Sequence, residues 1–229
     1  MTTYFITSSG TGIGKTLVTA ALAWQLRARG QDVRAIKPVI SGFTPETATE
    51  SDTGILLAAL GEKATDDAIE RITPWRFAAP LAPDLAASRE ERALELADVV
   101  AFCRTASEAA ERDGATLLIE GVGGLMAPMT QNQTVADWMA ALGFPAILVV
   151  GSYLGAISHA LTAAEALAAR AIPVAAVVVS ESEASTVTLG DTVESLGRFL
   201  PEYRLIVVPR VPGTVDPWRA APDLTGALG

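Results

Sequence analysis

The chain has 229 residues, 50% of them hydrophobic, with a formal net charge of −9, one cysteine and one histidine. That is ample apolar material for one large α/β core, and an acidic balance with no run of lysine and arginine argues against nucleic acid or an anionic membrane as the main partner. A lone Cys103 excludes an intrachain disulfide and a cysteine-rich metal site. The expectation is one domain over residues 1–229, cytoplasmic and without a membrane segment, because no basic region with an apolar signal core opens the chain and no apolar run reaches bilayer length.

In chain order, the apolar run at residues 4–7 predicts a first strand, and residues 16–29 an alanine-rich helix stopped by Gly30. Between them lies Ser9-Gly10-Thr11-Gly12-Ile13-Gly14-Lys15-Thr16, a phosphate loop in the right context. Its glycines free successive N–H groups to converge on phosphate oxygens, and the helix start adds its dipole. Lys15 reaches the terminal phosphates, and the Thr16 hydroxyl suits Mg²⁺. Nucleoside triphosphate is the first ligand this implies. Ser9 stands where the strict pattern has glycine, with Gly10 and Gly12 supplying the backbone freedom instead.

Residues 33–39 read as a second strand, from whose end Lys37 points under the control of Pro38. A lysine emerging at the carboxyl edge of a parallel sheet beside a phosphate loop is placed to neutralise charge. Two stretches, 41–52 and the proline-rich 73–88, read as irregular, the first as a wall of the site. Asp52 between them is either an N-cap or a ligand.

A helix is predicted over residues 92–112, with Cys103 packed in the core, and a strand over 116–119. The strand delivers Glu120, followed by Gly121, Val122, Gly123 and Gly124; a carboxylate at a strand end beside glycines suits a metal-side position. Further helices are predicted at 135–142, 157–170 and 186–200, and further strands at 146–150, 174–179 and 205–208. Trp138 reads as a packing residue and His159 as a packing or capping one. Repeated strand–helix units with continuously apolar strands predict a doubly wound, mostly parallel sheet of the P-loop type.

Taken together, Gly10 to Thr16, Lys37-Pro38-Val39-Ile40-Ser41-Gly42, Glu120-Gly121-Val122-Gly123-Gly124, Ala136-Asp137-Trp138 and Leu154-Gly155-Ala156-Ile157-Ser158-His159-Ala160 resemble the dethiobiotin synthetase family, in the expected order over most of the chain. The resemblance implies a homodimeric, Mg²⁺-dependent ligase of biotin synthesis. Such an enzyme joins CO₂ or bicarbonate to 7,8-diaminononanoate and closes a cyclic urea with hydrolysis of ATP. It makes Gly12, Ile13, Gly14, Lys15, Thr16 and Leu17 the phosphate loop and Thr16, Asp52 and Glu120 the metal ligands. Lys37 becomes the catalytic lysine, with Lys15 and Thr11 as further catalytic candidates. Gly121, Val122 and Gly123 join the nucleotide contacts, and Ser41 contacts the diamine. Backbone groups of Leu154, Gly155, Ala156 and Ile157 from the partner subunit would grip the substrate carboxylate.

Three departures stand out. Position 8, often glycine in that family, is Ser8, and position 12, often glutamate, is Gly12. After the fifth predicted strand, Ser180-Glu181 replaces the Asn-Asp that relatives often use to read adenine, and Pro209-Arg210-Val211 forms the other base-side loop. ATP or another triphosphate is therefore the expected co-substrate. A nucleotide switch of the partition type, or another ATP-dependent synthetase of the same branch, is the alternative. Positions 8 to 14 lack the second lysine usual in such switches, and Cys103 is no substitute for an amidotransferase domain.

Overall fold

The computed structural model describes every residue except Met1, Ala184, Pro212, Thr214, Val215 and Gly229. Six strands form one sheet, all paired in parallel: β1 (Thr3–Ser8), β2 (Val33–Ile36), β5 (Thr116–Glu120), β6 (Ala146–Val150), β7 (Val174–Ser180) and β8 (Leu205–Val208), in the order β2-β5-β1-β6-β7-β8. The short β3 (Val39–Ser41) and β4 (Trp75–Phe77) pair in parallel as a separate two-stranded sheet. The helices are α1 (Lys15–Ala28), α2 (Asp52–Leu60), α3 (Asp66–Ile72), α4 (Pro83–Arg89), α5 (Leu96–Arg112), α6 (Val135–Leu142), α7 (Ala156–Ala168) and α8 (Leu189–Phe199).

Continuous apolar strands are what a parallel sheet covered on both faces requires, and β6, with Ala-Ile-Leu-Val-Val buried throughout, shows it most plainly. Under the sheet, Phe5 of β1 meets Trp138 of α6 edge to face, with ring centroids 4.8 Å apart, and both are buried. Cys103 lies in the same core, where burial pushes its thiol pKa up and leaves it inert. Helix α6 opens on a capping box in which Asp137 accepts the Thr134 N–H at 2.7 Å.

The predicted strand at 33–39 divides at Lys37-Pro38. Pro38 has no N–H to give a ladder and restricts the residue before it, so the chain leaves the main sheet there. The Lys37 N–H is taken by Ile72 O at 3.0 Å, and Pro38 O accepts from Trp75 at 3.1 Å. The stretch 73–88, read from its prolines as irregular, instead holds β4 and α4. Pro83 sits in the first turn of α4, where a missing N–H leaves nothing unpaired. The helix expected from residue 92 begins at Leu96, because Arg92 is used elsewhere, donating to Arg76 O at 2.6 Å and stacking 4.6 Å from the Phe77 centroid. Helix α3 was not anticipated, although Thr65 caps it by accepting the Ala68 N–H at 3.3 Å.

This topology creates the site. Strand β1 lies at the centre, with β5 on one side and β6 on the other, and their carboxyl ends flank the crevice where open α/β sheets bind ligands.

Candidate active site

The loop from Ser8 to Gly14 joins β1 to α1, and Gly12 and Gly14 hold φ of 73° and 105°, in the left-handed region. At Gly14 the requirement is double, since a Cβ there would also lie 2.8 Å from Ser180 Oγ. Lys15 opens α1 and is 7% exposed. Its Nζ donates to Gly123 O at 2.7 Å and to Ser8 Oγ at 3.2 Å. Burial, reinforced by the nearby Lys37 charge, lowers its pKa to about 8.

Beside it, Thr16 Oγ1 lies 2.8 Å from Asp52 Oδ1 and 2.9 Å from Glu120 Oε1, and its single proton serves one of them at a time. Lys37, 2% exposed, donates to Glu120 Oε1 at 2.7 Å and to Gly121 O at 2.8 Å, and pairs with Asp52 Oδ2 at 3.0 Å. Burial works against its ammonium, but the Glu120 and Asp52 carboxylates outweigh burial and hold its pKa above the usual lysine value. Asp52 likewise stays below the usual carboxylate value: burial opposes this, and the Lys37 charge overcomes it. The N-cap of α2 is Ser51, which accepts the Gly54 N–H at 3.2 Å, so Asp52 is free to turn into the cleft.

The sequence-derived phosphate and metal residues therefore come together. Thr11, Gly12, Gly14, Lys15, Thr16, Lys37, Ser41, Asp52, Val122 and Gly123 line one cavity of ≈ 410 Å³. Glu120, fully buried, bonds to two of these residues, Thr16 and Lys37, and its Oε2 has no hydrogen-bond partner. Three hard oxygen donors, Thr16, Asp52 and Glu120, the last with an orphaned carboxylate oxygen, fit a small divalent cation that completes its shell with phosphate and water. Two carboxylates alone do not form an all-protein metal cage, and among the described residues none of three or more acidic, histidine or cysteine ligands exists.

A second cavity, ≈ 680 Å³, continues along the same loop past Gly10, Thr11, Gly12, Ile13, Gly14 and Leu17 to Ser180, Glu181, Pro209, Arg210 and Val211. Here the polar groups are turned on each other: Glu181 Oε2 accepts the Arg210 N–H at 2.7 Å, and the Arg210 guanidinium pairs with Glu183 at 3.1 Å. The expected substrate-carboxylate residues do not join either cavity. Leu154, Gly155, Ala156 and Ile157 form the turn into α7, where Leu154 is 78% exposed.

Sequence reasoning did not find three features of this site. His159 is exposed instead of packed, and its Nδ1 lies 2.7 Å from the Tyr153 hydroxyl in the wall of the second cavity. The turn before α7 is tied to the loop after β7 by a reciprocal pair, Ser152 N–H to Ser182 Oγ and Ser182 N–H to Ser152 Oγ, both 3.0 Å. Ser8 holds Lys15, and its only signal in the sequence was its unusual identity.

An AAA-domain family model matches residues 2–217. A curated protein of Methylobacterium nodulans, an ATP-dependent dethiobiotin synthetase, is 53% identical over 86% of this chain and 89% of its own length. One of the same description from Acidiphilium cryptum is 49% identical over 87% of this chain and 89% of its own. Among solved structures, the MinC:MinD cell division protein complex of Aquifex aeolicus superposes with a TM-score of 0.55 at 17% identity, over 96% of this chain and 86% of that one. The likeness is one of fold.

Proposed function

Because this chain belongs to the ATP-dependent dethiobiotin synthetase family, an ATP-dependent ligase family of biotin synthesis, we propose that its cleft converts 7,8-diaminononanoate, CO₂ and ATP to dethiobiotin, ADP and phosphate. The observation that carries this reading is the convergence of Lys15, Lys37, Thr16 and Asp52 on one cavity at the carboxyl edge of the sheet, with the buried Glu120 bonded to both Thr16 and Lys37. It is a place built for an anion that develops more charge as it reacts.

In the reaction proposed, one amine captures CO₂ as a carbamate, a carbamate oxygen attacks the γ-phosphate, and ADP leaves. The second amine then attacks the carbonyl carbon of the mixed anhydride, closes the ring and expels phosphate. Every intermediate is anionic and no enzyme nucleophile is needed. Gly12, Ile13, Gly14 and Leu17 cradle the phosphates through backbone groups, with Gly121, Val122 and Gly123 opposite. Lys15 meets the terminal phosphates, and Lys37 faces the transferring group from the far side. Each is a fixed charge in a buried site, where such groups act most strongly. Thr11 lines both cavities and Ser41 the smaller one, and in this reading Ser41 contacts the diamine. Thr16, Asp52 and Glu120 would hold Mg²⁺, which would neutralise triphosphate oxygens.

Ser180, Glu181, Pro209, Arg210 and Val211 border the base of the nucleotide. Leu154, Gly155, Ala156 and Ile157 serve the diamine carboxylate of a partner subunit in a homodimer, which accounts for their standing outside this chain's own cavities. Residues 1–229 act as one domain in the cytoplasm; among the described residues no helix is long and apolar enough to cross a membrane.

The test is turnover with each component omitted in turn. Dethiobiotin and phosphate should form in equal amounts, and only when diaminononanoate, bicarbonate, Mg²⁺ and a triphosphate are all present. Phosphate release at an undiminished rate without the diamine would replace this reading with that of a nucleotide switch.

A further inference from the structure

Ser8 is fully buried at the end of β1, and the reaction scheme makes no use of it. Its backbone carbonyl accepts the Leu125 N–H at 2.8 Å. Its Oγ lies 2.5 Å from Gly10 O, 3.2 Å from Gly123 O and 3.2 Å from Lys15 Nζ. A hydroxyl has one proton, and the nearest acceptor is Gly10 O, so the oxygen lone pairs are left for the ammonium of Lys15. The other partner of that ammonium is Gly123 O at 2.7 Å.

The consequence lies in how the charges are divided. Lys37 takes both carboxylates, Glu120 and Asp52, whereas Lys15, among the described residues, forms no ion pair although both carboxylates act on it. A lysine side chain is long and rotamer-rich and, unrestrained beside two carboxylates, would spend time on them. An ammonium paired with a carboxylate must break that pair before it meets phosphate; one resting on neutral oxygens need not.

We propose that Ser8 is a positioning residue for nucleotide binding: its hydroxyl, with Gly123 O, holds the Lys15 ammonium over the phosphate loop and off Asp52 and Glu120, in place before the triphosphate arrives. This rests on reading the cleft as the ATP site.

Ser8→Ala removes the hydroxyl and little else. Titration calorimetry with a non-hydrolysable ATP analogue should show Kd raised about three- to tenfold, the scale of one hydrogen bond to a charged group that is partly replaced. In steady state the KM for ATP should rise with it, while kcat and the KM for diaminononanoate stay within about twofold, because only the pre-placement of Lys15 is lost. Ser8→Gly should behave alike, and it decides the matter if the alanine variant fails to fold.

Unchanged analogue affinity in a folded variant overturns the proposal. So does a parallel rise in the diamine KM, which would mean that the whole loop had loosened. Wild-type protein that fails to bind the analogue would instead overturn the ATP reading itself, and this inference with it.

Discussion

At the phosphate end of the cleft, Lys37 and Glu120 are fully buried and joined at 2.7 Å; at the base end, Arg210 and Glu183 pair at 3.1 Å with side chains 52% and 79% exposed. The first pair sits where water does not screen it, so each partner is held in one place. The second is of the surface kind, worth little to stability and easily exchanged. What the difference teaches is a division of labour. On the function proposed, affinity and chemistry belong to the phosphate end, whose groups are held by one another, while the base end offers few polar groups aimed at a ligand. Glu181 is already taken by the Arg210 N–H, and Ser180 brings only one hydroxyl.

If that division holds, the largest losses come from the phosphate end. Lys15→Ala should reduce dethiobiotin formation by about three orders of magnitude, the loss that follows removal of a principal charge-stabilising group, with the circular dichroism spectrum unchanged. Near-normal turnover in that variant would break the comparison at its strong end.

Lys37→Ala should lower kcat by about a hundredfold while nucleotide Kd moves less than about threefold, since its charge is matched to the reacting group and not to the resting triphosphate. It also leaves Glu120 and Asp52 without their cation, so urea unfolding should show a stability loss of about 3 kcal/mol. A large loss of nucleotide affinity with unchanged kcat would reverse its role.

Asp52→Asn and Glu120→Gln should each raise the Mg²⁺ concentration for half-maximal rate by about tenfold or more, as expected when an oxygen ligand loses its charge. Unchanged Mg²⁺ dependence in both variants would remove the metal from this end.

The smallest effect is expected at the base. CTP and GTP should support turnover with kcat/KM within about tenfold of ATP, a discrimination of roughly 1.4 kcal/mol, because a serine hydroxyl makes a single directed pair where an asparagine amide makes two. A preference for ATP of several orders of magnitude would show that backbone groups of Pro209 to Val211 read the base and that the two ends are equally specific.

The same asymmetry governed what the sequence made legible. The phosphate end is written locally: a strand, glycines, Lys15 and Thr16 in one run, and a carboxylate at the end of another apolar strand. Chemistry confined to one turn leaves a pattern in consecutive residues. Lys37 was identified by its place before Pro38, although its complete burial, and the split of the expected strand into β2 and β3, depend on β4, which the sequence had hidden among prolines. By its own residues Asp52 could not be separated from an N-cap, and only the family resemblance made it a metal ligand; Ser51 is the residue that caps α2. Contacts between distant segments left no pattern in consecutive residues. The Ser152–Ser182 exchange joins positions 30 residues apart, and Ser8 touches Gly123 across 115. The pairing of His159 with Tyr153 spans less than two helical turns, yet a lone histidine near a helix start looks the same whether it packs inward or faces a cleft.

The central claim, that the phosphate end activates a carbamate by transferring phosphate to its oxygen, has one direct test. The reaction is started from CO₂ labelled with ¹⁸O and quenched before the label exchanges with water, and the released phosphate is analysed by mass spectrometry. A carbamate oxygen that attacks the γ-phosphate stays with phosphorus when the second amine closes the ring, so the account predicts one labelled oxygen in each phosphate formed. Phosphate free of label, beside labelled dethiobiotin, would mean that water and not the carbamate takes the phosphoryl group, and would contradict it.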